Sequence, residues 1–206
     1  LSSSSAASDV YKRQLHSCTE RFGVAVQDPL VDQGRPRVMG FDDGRGLSNS
    51  LIERVASLVP HGRWREFKGL AVATGPGGFT GTRLSVVMAR TLAQQLGCPL
   101  LGVSSFALMA QRLATDEQPF WITQPLLRRG VVAGQYRVRD AVVEELQAPR
   151  LLEADQQVSP AVEAEVDVDV DVAALLGRLQ RSLQRDESLP WQPVLPIYPT
   201  SPVGPV

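Results

Sequence analysis

Four glycines in seven residues, Gly75-Pro76-Gly77-Gly78-Phe79-Thr80-Gly81, lie where a strand-like apolar run ends and a helix-like run begins. Glycine tolerates positive φ and close backbone approach, so this loop fixes a tight strand-to-helix turn. It can also present main-chain amides to an anion at a helix N-terminus, and Arg83 adds charge of the matching sign. The spacing departs from both common phosphate loops. A P-loop needs Gly-Lys-Ser/Thr after its second glycine, and no lysine lies between Gly69 and Arg83. A dinucleotide fingerprint needs G-x-G-x-x-G and an acidic residue about 20 residues on. Here the glycines fall at 75, 77, 78 and 81, and residues 97–111 contain no Asp or Glu. A structural turn is the leading reading, and a phosphate cradle is the alternative.

The rest of the chain is compatible with a real core around that turn. Of 206 residues, 43% are apolar and 21% charged, ordinary for a globular protein. The net charge of −1 supplies no electrostatic drive for unaided binding to nucleic acid or anionic membranes. Cys18 and Cys98 are too few for a disulfide framework, and Cys98 sits in the apolar Leu96-Gly97-Cys98-Pro99-Leu100, so a reducing cytoplasm is expected. No apolar run approaches the length of a membrane-spanning helix. Residues 1–14 lack an initiating Met, a basic start and an apolar centre, which argues against a secretory signal. They read as disordered and foreign to the native chain, with folding beginning near Leu15.

Hydrophobic period places the elements. Phe22, Val24 and Val26 alternate as in a strand, and residues 34–41 read as its hairpin partner across a polar loop. Ser50 and Glu53 have capping-box spacing, while Leu47, Leu51, Val55, Leu58 and Val59 share one helical face that Pro60 ends. Residues 67–74 read as a central strand buried on both faces. From Thr82 to Leu96 a helix carries Leu84, Met88, Leu92 and Leu96 at spacing four, beside a parallel stripe of Gly81, Ser85, Ala89 and Ala93. That apolar surface is wider than one sheet contact needs, so a partner helix and internal burial are both open readings. Residues 99–103 form a strand, Ser104-Ser105 opens a third helix, and 120–127, 131–138 and 141–146 form a second, smaller sheet. Residues 162–172 suit either an exposed edge strand or a solvated acidic loop; Leu175, Leu176, Leu179 and Leu183 mark a last helix. Residues 190–206, with six prolines, read as an extended surface tail.

Catalytic constellations are sparse. With only His16 and His61, no two-histidine metal site fits one helix, and neither cysteine has a neighbouring one. Gly-x-Ser-x-Gly is absent, and Ser104-Ser105 stands where serine caps a helix. Asp42 and Asp43 are adjacent, a poor acid/base pair and a better turn.

The run from Gly75 through Leu84, followed by Leu96-Gly97-Cys98-Pro99-Leu100-Leu101-Gly102-Val103-Ser104-Ser105, closely resembles the signature of the TsaB (YeaZ) family of bacterial tRNA threonylcarbamoyladenosine biosynthesis, roughly GPGSFTGLR, then LGIPL and GVSS. The resemblance is specific over residues 69–113, and residues 193–198 are similar to the family's terminal region. It implies an α/β, actin-like (RNase H-like) two-domain architecture with a mixed sheet and helices. Residues 15–103 would form the N-terminal actin-like domain, and 104–206 a smaller C-terminal domain with its proline-rich tail. The implied role is a non-catalytic subunit, without cofactor, catalytic residue or metal, that binds and activates the TsaD transferase acting at position 37 of certain tRNAs. TsaD carries a metal-binding His-x-x-x-His motif that this chain lacks. The implied partner surface lies on the helices Leu47–Val59 and Thr82–Leu96, at Leu51, Ile52, Val55, Leu84, Ser85, Met88, Ala89 and Leu92. Implied partners are a TsaD-like transferase as heterodimer and a TsaE-like ATPase, with tRNA met only through the complex, no membrane, and a homodimer in isolation. The alternative is an actin-fold ATP-binding enzyme using the glycine loop, Gly75, Gly77, Gly78, Thr80, Gly81 and Arg83. The family's Asp-Thr-Ser at the end of the first strand is replaced here by His16-Ser17-Cys18, which weakens nucleotide chemistry. Most of that strand before Leu15 reads as lost to the foreign stretch, removing a central element of the sheet.

Overall fold

Alternation at period two decides what lies on each side of the first sheet. In β2 (Phe22–Gln27), Phe22, Val24 and Val26 face one way and Ala25 the other; in β4 (Phe67–Ala73), Leu70 and Val72 oppose Ala71 and Ala73. These strands flank β1 (Tyr11–His16), and β3 (Arg37–Phe41) and β5 (Leu100–Val103) complete a five-stranded sheet in the order β3-β2-β1-β4-β5. The pairs β1–β2 and β2–β3 are antiparallel, while β1–β4 and β4–β5 are parallel, so the sheet is mixed. The computed structural model describes residues 11–16, 21–27, 35–59 and 61–199. Expectations for residues 1–10, Ser17-Cys18, the loop 28–34, Pro60 and the tail end 200–206 lie outside the described residues.

One correction concerns β1. Residues 11–14, expected to lie outside the fold, begin the central strand, and Arg13, Gln14 and Leu15 pair with Val26, Ala25 and Val24 on one side and with Leu70, Ala71 and Val72 on the other. A strand laddered on both edges is held by backbone hydrogen bonds that leave no mark in its own hydrophobic period. The sheet therefore keeps its centre.

The larger side chains of the sheet meet two helices. Helix α1 (Leu47–Leu58) buries Leu47, Leu51, Val55 and Leu58, the face its spacing predicts. The capping box does not form: Gly46 is the N-cap without a side-chain bond, and Ser50 Oγ donates to the Gly46 carbonyl at 3.4 Å. A 3-10 turn over Gly44–Gly46 supplies the entry instead, and Arg54 holds it by reaching back to Asp43 at 2.9 Å. Helix α2 (Phe79–Leu96) starts three residues before the expected Thr82 and ends at Gly97, whose φ of 63° closes the helix.

The opposite face of the sheet is made of small residues. A Cβ on Gly23 would stand 2.5 Å from Val168 Cγ1, and one on Gly69 would stand 3.0 Å from Leu183 Cδ1. Both positions are glycine because α4 (Val168–Gln184) lies directly on them, touching β1, β2, β3 and β4. Residues 162–172 thus resolve into two elements: β9 (Ala161–Glu163) and the first turn of α4, capped by Asp167, which accepts from Val170 N at 3.2 Å. The Val/Asp alternation imitates a strand, but Val168, Val172, Leu175, Leu176 and Leu179 share a helical face, and acids in a first turn suit the helix dipole.

Helix α3 (Ser105–Leu113) sits beside α4 and against the second sheet, whose order is β8 (Val142–Leu151), β7 (Gly130–Arg139), β6 (Phe120–Leu126), β9. Phe106, Met109, Ile122, Val132, Tyr136, Leu175 and Leu179 form the core between the sheets. Although α4 and the tail lie within the stretch 104–206, both pack on the first sheet. No helix among the described residues is long and apolar enough to cross a membrane.

Two predictions come from α4. Gly23→Ala forces its new methyl into a β-branched side chain on a rigid helix, so it should lower the unfolding free energy by about 1–3 kcal/mol in urea melts. Gly62→Ala, whose Cβ meets nothing within 4 Å, is the control and should leave the melt unchanged. Asp171 is fully buried, and that burial outweighs its bond from Arg112 Nε at 3.4 Å, raising the carboxyl to about 6 from an ordinary 3.8. The folded state then binds this proton more tightly than the unfolded chain, so the residue's contribution to stability falls as pH rises from 3.8 to about 6. The stability of wild type relative to Asp171→Asn, from urea midpoints, should decline across that window and be flat above it; a flat difference throughout would refute the assignment.

Candidate functional site

The glycine loop is held at its start by three main-chain bonds. Thr74 N donates to the Val103 carbonyl at 2.9 Å, Ser105 N donates to the Gly75 carbonyl at 2.7 Å, and Ile197 N donates to the Thr74 carbonyl at 2.7 Å. Gly75 is buried with φ 97°, and a Cβ there would lie 3.2 Å from the Ile197 carbonyl oxygen. Its requirement for glycine is therefore both conformational and steric. Gly77, Gly78, Thr80 and Arg83 are exposed and Gly81 is half-buried, so the six loop residues divide between a pinned base and an open crest. Ser104 caps α3, accepting from Ala107 N at 3.1 Å, as serine before a helix predicts.

The eight helical positions singled out from spacing also divide. Leu51, Val55, Ser85 and Ala89 point into the core against the sheet. Ile52 is 60% exposed, and Leu84, Met88 and Leu92 are half-buried, packed against the core at its outer margin. The small-residue stripe of α2 is what meets the sheet, since Ser and Ala let the helix backbone come close; the long side chains flank it. Val87, 53% exposed and absent from the spacing argument, joins the outward set. Its signal in the sequence is a β-branched residue one step off the leucine stripe, indistinguishable by period alone.

The tail is pinned at several points rather than lying loose. Arg90 stacks over Trp191 at 5.5 Å and donates to the Val194 carbonyl at 3.0 Å; Val194 is buried; Phe79 and Tyr198 rings lie 4.9 Å apart. Between loop, tail and the β6–β7 turn lies a cleft of about 400 Å³ bordered by Pro76, Phe79, Leu127, Arg129 and Tyr198. On the other side of β5, Glu145 accepts from Ser104 Oγ at 2.9 Å and from Tyr136 OH at 3.1 Å. Tyr136 is fully buried, which pushes its phenol well above the usual range and keeps it neutral. Cys98 is buried too, and desolvation raises its thiol to about 11, so it is a packing residue and not a nucleophile. The sequence reading missed the tail contacts and this hydroxyl–carboxylate cluster, because both join residues far apart in the chain.

Residues 59–160 match the family model described as TsaD: tRNA N6-adenosine threonylcarbamoyltransferase. The chain is 34% identical over 86 residues to the tRNA threonylcarbamoyladenosine biosynthesis protein TsaB of Bacillus subtilis (strain 168). That match covers 40% of this chain and 36% of the relative, so the chain spans little more than a third of the curated protein it matches. Two solved structures share the fold: an uncharacterized protein with similarity to peptidase YEAZ from Pseudomonas aeruginosa (TM-score 0.73, 19% identity, 93% of this chain and 100% of that one) and YeaZ from Pseudomonas aeruginosa (TM-score 0.68, 19% identity, 92% and 99%). The α/β class with a mixed sheet and helices expected from the sequence is the fold found, and these two structures share it.

Gly75→Ala tests the pinned base of the loop. The positive φ and the Ile197 carbonyl together should lower stability by about 1–3 kcal/mol in chemical denaturation and loosen the tail, seen as faster amide exchange at Ile197. Wild-type stability and exchange would show that loop and tail are independent.

Proposed function

We propose that this chain, related to TsaB in sequence over 86 residues and folded like YeaZ along 93% of its length, is a non-catalytic subunit in bacterial threonylcarbamoyladenosine formation on tRNA, binding and activating a TsaD-like transferase. The observation that carries the reading is the outer face of α1 and α2. These helices touch each other, and they turn Ile52 and Val87 to solvent at 60% and 53% exposure beside half-buried Leu84, Met88 and Leu92. Apolar side chains grouped on an outer layer fit a partner helix pair. In this reading the first sheet with α1 and α2 forms the partner-facing unit and the second sheet belongs to the smaller one. Without the transferase a second copy covers the same face. A TsaE-like ATPase and tRNA join only the assembled complex, in the cytoplasm.

Use of the glycine loop for ATP is the weaker reading, because the Ile197 carbonyl stands 3.2 Å from where a Cβ on Gly75 would be and turns an acceptor, not a donor, toward the loop.

Light scattering of the chain mixed with a TsaD-like transferase should give the mass of a heterodimer. Val87→Asp, at an exposed position, should weaken the complex by about tenfold or more, or about 1.4 kcal/mol, while keeping the wild-type melt. Separate monomers in the wild-type mixture would sink the reading.

A further inference from the structure

The second half of α4 carries Arg178 and Arg181, and its C-cap is Arg185; the spacing i, i+3, i+7 puts all three on one face. All three line a single cleft of about 650 Å³ between the edge of the first sheet and β8. The helix dipole accounts for cations at an exposed C-terminus. It does not account for Arg178, which is more than a turn from the end and half-buried, with its charge disfavoured first by desolvation and then by Arg181.

Local carboxylates do not balance this charge. Arg185 pairs with Glu187 at 3.8 Å, and Arg178 donates to the Ala107 carbonyl at 2.7 Å. Among the described residues no carboxylate forms an ion pair with Arg178 or Arg181. Two acids, Glu145 and Glu187, share the lining with the three arginines; Glu145 already accepts from Ser104 and Tyr136, and Glu187 pairs with Arg185. Two guanidinium groups thus line a concave site with no ion-paired carboxylate among the described residues. Planar forks of this kind match phosphoryl oxygens in pairs, and the cleft has the volume of a small-molecule site.

We infer that this cleft binds a phosphorylated small molecule, its phosphoryl oxygens held by Arg178 and Arg181 with Arg185 at the rim. Glu145 opposite them rejects a second anionic group on that side. The site is separate from the α1–α2 face, so its test does not involve the transferase.

Inorganic pyrophosphate titrated calorimetrically into the full chain is the probe. Saturable heat below about 10 mM is expected, with affinity reduced about tenfold or more in Arg181→Ala and in Arg185→Ala, both at exposed positions, and unchanged in Arg83→Ala on the glycine loop. Succinate should bind at least about tenfold more weakly than pyrophosphate. Absence of heat in the wild type, wild-type affinity in both α4 variants, loss of binding in Arg83→Ala, or succinate binding as tightly as pyrophosphate would each overturn the inference.

Discussion

Everything between the two sheets depends on how closely α4 lies on the first one. That approach is set by Gly23, Ala25, Gly69 and Ala71, which leave no side chain large enough to hold the helix away. Once seated, α4 belongs to two cores at once. Val172 and Leu176 pack on Ala25, while Leu175 and Leu179 join Phe106, Ile122 and Tyr136 beneath the second sheet. A fully buried aliphatic side chain is worth about 1.5–3 kcal/mol, so a helix that buries several in each direction is the main mechanical link between the layers.

The same sheet is asymmetric in the other direction. Its Phe, Leu and Val side faces α1 and α2, and among the described residues those helices are the last layer on that side. Layered folds close by covering each apolar face with another element. Here the core is closed, but the outer margin of α2 still presents its long side chains. The tail secures one end of this layer by joining Thr74, Arg90 and the core through residues 191–198. Loop, tail and helix are therefore one mechanical unit, and the glycine crest is positioned by residues more than a hundred positions away.

Much of the fold was legible because its signals are local. The period of Phe22, Val24 and Val26, the face Leu47-Leu51-Val55, the Ser104 cap and the glycine turn all appear in the structure as their spacing predicts. What failed did so for physical reasons. Residues 11–14 are polar and basic, so nothing in their pattern announced a strand whose order comes from ladders on both edges. The Val/Asp run over 166–172 fits periods of two and of four, and only its cap at Asp167 decides for a helix. In α2 the spacing found two stripes but not which one faces the sheet. Backbone approach favours the small one, which puts Ser85 and Ala89 inside the core, while on α1 Leu51 and Val55 face the sheet. The α4 arginines were overlooked because the leucine face beside them explained the helix completely.

The order in which the chain meets itself has a kinetic side. Strands assembled from residues 11–103 lack one of their two covering layers until residues 168–184 and the strap near 197 arrive, so the closing contacts span most of the sequence. Loop closure over such distances is slow, and until it occurs the glycine and alanine face of the sheet has no helix upon it. During synthesis the small-residue face of the first sheet stays without its covering helix until residues 168–184 have emerged.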